Sequence, residues 1–183
     1  GIGDVFFCQK IARVMMEKGY DVIWPLRPDI HWIQRYIKDI LFPMTTDDFP
    51  MKDIYFRGAG AVIEENGAFI SLATADMTHN DGKIMSSKYA TVGIDYSDWK
   101  NYFKFERNFA KEEDLYYNVL DLKEDSEFIL INNLYNTDIR DCELLSPNNY
   151  NLPVVELKIY EGFTLFDWCK VIERANSVFT INT

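Results

Sequence analysis

Residues 1–26, GIGDVFFCQKIARVMMEKGYDVIWPL, decide the predicted fold of this chain. The first two glycines, Gly1 and Gly3, favour a tight turn whose backbone amides can approach a ligand. Asp4 follows them at the point where a helix is predicted to begin. A carboxylate at such a position is either a helix cap or a general base. A cap is compatible with a non-catalytic domain, whereas a general base implies an enzyme.

The residues after this turn have the pattern of a helix and then of a strand. Apolar residues recur at three- and four-residue spacing over residues 4–18, which is typical of one buried helix face. Gly19 is a suitable helix end, and residues 20–26 are typical of a strand. Turn, helix, glycine and strand predict the first half of a Rossmann-like α/β unit. Because no strand precedes the turn, we expect the chain to be incomplete at its start.

The rest of the sequence alternates predicted helices and strands around one hairpin. Asn66-Gly67, between two apolar segments, is a strong hairpin turn. The periodicity predicts helices over 31–41, 85–90, 111–120 and 165–175, and strands over 54–56, 127–132, 154–159 and 178–181. The predicted fold is therefore α/β with a hairpin-containing insertion. A polar interruption near residues 122–125 predicts two domains, 1–122 and 123–183.

Composition and charge exclude several classes of protein. A hydrophobic content of 48% is sufficient for a folded core, and a net charge of −10 disfavours binding to nucleic acid. The three cysteines are far apart and form no Cys-x-x-Cys pair, which favours reduced thiols. No apolar stretch reaches 18 residues, the length needed to span a membrane. We expect a cytoplasmic protein with no transmembrane segment and no nucleic-acid partner.

Both ends of the chain resemble one enzyme family. Residues 1–5, then a helix, then residues 18–23, resemble the start of GT-B glycosyltransferases, especially the lipopolysaccharide heptosyltransferase family. Residues 163–183 are similar to that family's donor-domain segment, in which a helix leads into a strand and an Asp-Thr-Gly-x-x-His loop that holds the nucleotide sugar. Asn182 and Thr183 stand at the positions of that Asp and Thr. Asn182 departs from the acid, and the glycine and histidine would lie beyond the last residue.

The resemblance implies a Rossmann-like fold of GT-B type. Residues 1–122 would form the acceptor-side domain without its first strand, and residues 123–183 part of the donor-side domain. The implied reaction moves a sugar, with inversion, from a nucleotide-sugar donor to a hydroxyl of a glycan or lipid-linked acceptor. Asp4 would be the general base in this reaction. Gly1 and Gly3 would form the backbone loop on the acceptor side.

The donor site implied by the resemblance consists of Arg140, Asn182 and Thr183. The sequence contains no Asp-x-Asp, which favours a metal-independent enzyme without a cofactor, in which Arg140 or a helix N-terminus balances the diphosphate charge. A solvated loop charge is the alternative interpretation of Arg140. The group Asp76, His79 and Asp81 has metal-binding side chains, but its neighbours favour a turn, so we expect no metal.

Two other functional classes remain open at this point. The first is a non-catalytic α/β module with a structural or assembly role. The second is another Rossmann-like enzyme that binds a nucleotide sugar. Binding of a nucleoside diphosphate separates the first of these from both enzymes.

Overall fold

The computed structural model describes residues 2–44, 60–64, 67–72, 84–134, 145–146, 148 and 150–181. The chain divides into two units, Gly1–Glu106 and Arg107–Thr183. This division lies upstream of the predicted boundary between residues 122 and 123. The reason is that the intervening helical segment belongs to the core of the second unit, where Tyr116 packs in one cluster with Trp168.

The first unit begins with two short helices, α1 (Ile2–Phe7) and α2 (Gln9–Glu17). The helix predicted over residues 4–18 is therefore present, with an interruption at Cys8. Its apolar face is buried as expected, through Val5, Cys8, Ile11 and Ala12. Gly19 follows with φ +89°, the left-handed conformation that glycine adopts readily at a helix end.

The strand predicted over residues 20–26 is wrong. This segment makes two isolated parallel bridges to residues 41–44 instead of a continuous ladder. Pro25 and Pro43 lie within the two paired segments. Because proline has no N–H to donate, Pro43 interrupts the ladder between the two bridges, although its carbonyl still accepts from the Leu26 N–H at 2.9 Å.

The helix predicted over residues 31–41 is replaced by a 3₁₀ helix, Pro28–Arg35. The Gln34 side chain explains why the helix ends early. Its amide donates to two backbone carbonyls of the segment that follows, at 2.8 and 3.1 Å, and accepts from the Phe42 N–H at 2.7 Å. The inward residues of this segment are buried as predicted except for Leu41, which is 57% exposed.

The hairpin and the next helix of the first unit are confirmed. β1 (Gly60–Glu64) and β2 (Gly67–Ser71) pair antiparallel, with Glu64 opposite Gly67. α3 spans Ile84–Thr91 and a 3₁₀ helix spans Trp99–Tyr102. The predicted strand over residues 54–56, and Asn66 of the predicted turn, lie outside the described residues.

The second unit contains a small parallel sheet with helices. Its elements are α4 (Phe109–Glu113), a π-helical turn (Asp114–Val119), β3 (Ile129–Asn132), β4 (Val154–Glu156), a 3₁₀ helix (Leu165–Trp168), α5 (Cys169–Arg174) and β5 (Ser177–Thr180). The strand order is β4-β3-β5, and both pairings are parallel. Leu130 and Ile131 are buried on opposite faces of β3, as expected of a central strand. A mixed structure with a parallel sheet agrees with the predicted α/β class.

One arginine links the helices α4 and α5 of the second unit. Arg107 donates to the buried carboxylate of Glu112 at 2.8 Å and to Glu173 at 2.5 and 2.9 Å. These hydrogen bonds hold the pKa of the Glu173 carboxyl below its ordinary value, against a smaller opposing effect of burial. Glu112 lies on α4 and Glu173 on α5, so the arginine fixes the spacing of the two helices.

Thr164 caps the 3₁₀ helix that leads into α5. The Asp167 carboxylate accepts hydrogen bonds from the Thr164 N–H at 2.7 Å and from its hydroxyl at 3.0 Å. Asp167 is fully buried. The predicted cap at this position is therefore confirmed.

We expect Thr164→Ala to lower the free energy of unfolding by about 1 kcal/mol, the usual value of an N-terminal helix cap. Urea unfolding of the full chain, followed by circular dichroism, measures this change. Thr164→Ser keeps the hydroxyl and serves as the control. A Thr164→Ala variant as stable as the parent contradicts the role of the cap.

Candidate functional site

Asp4 lies in the first turn of α1 and is paired with a lysine from α3. The Lys88 ammonium donates a hydrogen bond to Asp4 Oδ1. The side chain of Asp4 is 37% exposed and that of Lys88 only 8% exposed. Asp4 is therefore a partly exposed carboxylate that is ion-paired with a buried cation.

The ionisation of Asp4 reflects two opposing effects. Partial burial is the largest effect and raises the pKa of the carboxyl, but the hydrogen bond and the charge of Lys88 contribute to a net pKa below the ordinary value of 3.8. Asp4 is therefore ionised at neutral pH. It can accept a proton, although its basicity is low.

Buried neighbours hold α1 and α3 together beside this pair. The Tyr89 hydroxyl donates to the Phe7 carbonyl, and the two rings meet edge to face with centroids 5.4 Å apart. Cys8 lies in the same cluster with no exposure, and burial raises the pKa of its thiol to about 11. The thiol is therefore protonated and unreactive at neutral pH.

The sequence predicted a tight glycine turn before Asp4, and the structure differs at Gly3. Gly3 lies inside α1, is exposed, and has no other atom within 4 Å of the position that a Cβ would take. Gly3 is therefore helical and not part of a turn, and its N–H belongs to the first turn of α1, where backbone N–H groups have no acceptor within the helix. Its predicted role on the acceptor side remains a prediction. Gly1 lies outside the described residues.

Polar side chains gather at the carboxyl edge of the parallel sheet in the second unit. Asn132 ends β3 and donates to the Thr180 hydroxyl of β5 at 3.4 Å. Asn133 exchanges two hydrogen bonds with the backbone of Leu145, both at 3.0 Å, and lies 3.5 Å from Glu156 of β4. This edge is where open parallel sheets bind ligands.

An aromatic pair accompanies this polar edge. The rings of Phe179 and Tyr150 lie with centroids 5.0 Å apart and planes inclined by 32°. Phe179 belongs to β5, in which all four residues are exposed, and is itself 40% exposed. The pair therefore offers a partly exposed flat surface next to the last strand residue.

Several predicted site residues lie outside the described residues. These are Arg140, Asn182 and Thr183 of the predicted donor site, and Asp76, His79 and Asp81 of the metal group that was considered and rejected. Their predicted roles remain predictions. Within the described residues, no group of three His, Cys, Asp or Glu side chains is placed to hold a metal ion. In the same part of the chain, no helix is long and apolar enough to cross a membrane.

The first unit also contains a polar cluster on α2 that the sequence did not indicate. Lys10, Arg13 and Gln9 are all buried. Arg13 pairs with Asp39 and Lys10 with Asp98. A cleft of about 440 Å³ lies alongside, lined by Arg13, Met16, Glu17, Asp98, Asn101, Tyr102 and Lys104. Because the buried cations already have carboxylate partners, this cluster is a structural ion-pair network.

Sequence reasoning identified Asp4 but missed Lys88. The pair joins residues 84 positions apart, and helical periodicity carries no information about such a distance. Sequence reasoning also missed Asn132 and Asn133, although polar residues directly after a buried strand of a parallel sheet mark its ligand edge and could have indicated them.

Comparison with protein-family models, with curated proteins and with solved structures finds no match for this chain. Its candidate site therefore depends on the geometry of its own residues.

We expect Asp4→Asn to lower the free energy of unfolding at pH 7 by about 1–2 kcal/mol, because Lys88 loses a charged partner. The difference should shrink as the pH falls below 3.8, the ordinary pKa of this carboxyl. A group whose pKa is lower in the folded state stabilises the fold above its unfolded pKa and loses this effect as the pH falls through the folded pKa.

Urea unfolding of both proteins between pH 7 and pH 3 measures this dependence. Asp21→Asn, at an exposed aspartate, changes the net charge equally and serves as the control. A stability difference that does not vary with pH contradicts the pairing.

Proposed function

We propose that this chain acts in glycosyl transfer from a nucleotide-sugar donor, with the donor bound by the unit Arg107–Thr183. One observation carries the proposal. The parallel strand β5 ends at Thr180 and is separated by one residue from Asn182 and Thr183, the two residues that the family resemblance places on the nucleotide sugar. A parallel sheet presents the carboxyl ends of its strands to ligands.

The polar groups at this edge suit the hydroxyl and phosphate groups of a nucleotide sugar. Asn132 supplies an amide and Thr180 a hydroxyl, and both groups donate and accept hydrogen bonds. Asn133 and Glu156 lie at the same edge. Arg140 remains our candidate for balancing the diphosphate charge, since the sequence has no Asp-x-Asp metal motif.

The partly exposed ring of Phe179 is the proposed stacking surface for the nucleobase. Aromatic side chains bind bases by stacking, and each stacked base contributes about 1–3 kcal/mol. Tyr150 packs against Phe179 and holds its ring. Stacking is tolerant of base identity, so this feature does not select one nucleotide.

Asp4 is the proposed general base. The acceptor oxygen, from a glycan or lipid-linked hydroxyl, forms a bond to the anomeric carbon, and its proton passes to the Asp4 carboxylate. The bond from that carbon to the diphosphate breaks, and its electron pair stays on the phosphate oxygen. A carboxylate of low basicity suffices when departure of the leaving group runs ahead of proton transfer, because the hydroxyl then becomes acidic.

One observation favours a second candidate, a non-catalytic α/β module with a structural or assembly role. Asp4 is ion-paired with a buried lysine, as structural carboxylates often are. In this case the Asp4–Lys88 pair fixes α1 against α3 and has no chemical role. Binding of a nucleoside diphosphate separates the two candidates.

We expect nucleoside diphosphates to raise the melting temperature of the full chain. A ligand at 100 times its dissociation constant stabilises the folded state by about 2.7 kcal/mol. Phe179→Ala should weaken binding by about 5- to 150-fold, since it removes the stacking surface. Thermal unfolding and calorimetry with ADP, UDP, GDP and CDP measure both effects.

Val178→Ala is the matched control, because Val178 is the adjacent residue of β5, is 47% exposed, and points to the other face of the strand. It should leave binding unchanged. If no nucleoside diphosphate raises the melting temperature, the proposal of a nucleotide-sugar enzyme is wrong and the structural module is favoured.

We expect Asp4→Asn to lower the rate of sugar transfer by about 10²- to 10⁴-fold, the usual contribution of a general base. Binding of the nucleoside diphosphate should remain, because Asp4 belongs to the other unit. Release of nucleoside diphosphate from a panel of nucleotide sugars, with and without acceptor, measures transfer. An Asp4→Asn protein with the parent's rate contradicts the role of Asp4.

A further inference from the structure

The Lys88 side chain is buried where it contacts Asp4. Its side chain is 8% exposed, and its ammonium donates to Asp4 Oδ1. A buried ammonium is costly unless an opposite charge or hydrogen-bond acceptors compensate it. The carboxylate that compensates Lys88 is the proposed base.

The position of Lys88 relative to Asp4 is fixed by its neighbour in α3. Tyr89 is fully buried, and its hydroxyl donates to the carbonyl of Phe7 in α1. The rings of Phe7 and Trp99 pack behind it, with centroids 4.6 Å apart. Because Tyr89 anchors α3 to α1, the ammonium of Lys88 is held in place and can orient the carboxylate.

We propose that Lys88 is a positioning residue for Asp4, which fixes the orientation of the carboxylate and keeps it ionised and ready to accept a proton. The acceptance of a proton from a substrate hydroxyl rests on the proposed function, whereas the pairing itself can be tested without it. Lys88 touches no reacting atom in this scheme. Its ammonium keeps its protons while Asp4 gains one.

The pairing has two opposite consequences for a base. The charge of Lys88 lowers the affinity of Asp4 for a proton, which reduces its strength as a base. The same charge keeps Asp4 in the form that can accept a proton over a wider pH range. Two other titratable groups act on Asp4. The ammonium group at the start of the chain also lowers the pKa of the Asp4 carboxyl. Burial raises the pKa of the Cys8 thiol to about 11, so this group remains neutral near pH 7.

Carbon-13 NMR of the full chain with labelled aspartate carboxyls tests the pairing. The Asp4 resonance is identified by its loss in Asp4→Asn, and its titration is followed in the parent, in Lys88→Arg and in Lys88→Met. Lys88→Met should raise the pKa of Asp4 by about 1–3 pH units, the usual effect of removing an adjacent opposite charge. Lys88→Arg keeps the charge and should keep the pKa low.

Lys10→Met is the matched control. Lys10 is a lysine of the same unit with a side chain 7% exposed, and its carboxylate partner is Asp98 instead of Asp4. Lys10→Met should leave the titration of Asp4 unchanged. An Asp4 pKa that is equal in Lys88→Met and in the parent overturns the inference, as does an equal rise in Lys10→Met.

A second measurement covers the case in which Lys88→Met does not fold. The ammonium protons of a paired, buried lysine exchange slowly enough to be seen by nitrogen-15 NMR. Asp4→Asn should remove or shift the Lys88 signal. We expect this variant to fold, because the Asp4 side chain is partly exposed. An unchanged Lys88 signal overturns the inference.

The result of these tests of Lys88 can be distinguished from the result of the tests of the proposed function. If the parent binds no nucleoside diphosphate but the Asp4 pKa rises in Lys88→Met, the pairing stands and the transferase proposal fails. If the parent transfers sugar and the pKa does not move, the transferase stands and the role of Lys88 fails. Where transfer is present, the acidic limb of kcat/KM should move to higher pH in Lys88→Met and not in Lys10→Met.

Discussion

A buried cation needs a carboxylate or other hydrogen-bond acceptors beside it, and this constraint fixes the positions of the helices within each unit. In the first unit, buried Lys10, Arg13 and Lys88 reach aspartates on distant segments. In the second unit, Arg107 joins the carboxylates of α4 and α5. Apolar burial supplies most of the driving force in both units, but it is non-directional. The ion pairs have defined geometry, so they select one arrangement of the helices among those that bury similar apolar area.

The same constraint explains why Asp4 has two interpretations. A carboxylate that compensates a buried lysine has a structural purpose whether or not it does chemistry. It is also oriented, ionised and partly exposed to solvent, as a base must be before a substrate arrives. The pair therefore does not choose between module and enzyme. Diphosphate binding at the carboxyl edge of the parallel sheet distinguishes the two, because only an enzyme of this class needs a diphosphate there.

Local sequence patterns predicted those elements whose partners are near in the chain. The hairpin of β1 and β2, the helix α3 and the Thr164 cap each depend on interactions over a few residues, and each is confirmed. The strand over residues 20–26 has an apolar pattern, but a strand exists only if its partner can complete a ladder. Pro43 of the partner segment prevents this, and no pattern within residues 20–26 reveals it. The Gln34 side chain ends the next helix in a similar way, by taking over backbone groups that the helix would have used.

For this protein, sequence by itself determined the α/β class, the buried face of the first helices and the identity of Asp4 as the residue of interest. These follow from periodicity, from turn residues and from motif order, which are properties of short segments. Tertiary structure alone decided that Lys88 lies against Asp4 and that Gly3 is helical. It also decided that the segment after Arg107 belongs to the second unit. The physical reason is that ion pairing and core packing act between residues far apart in the chain, where a single sequence contains no record of the distance.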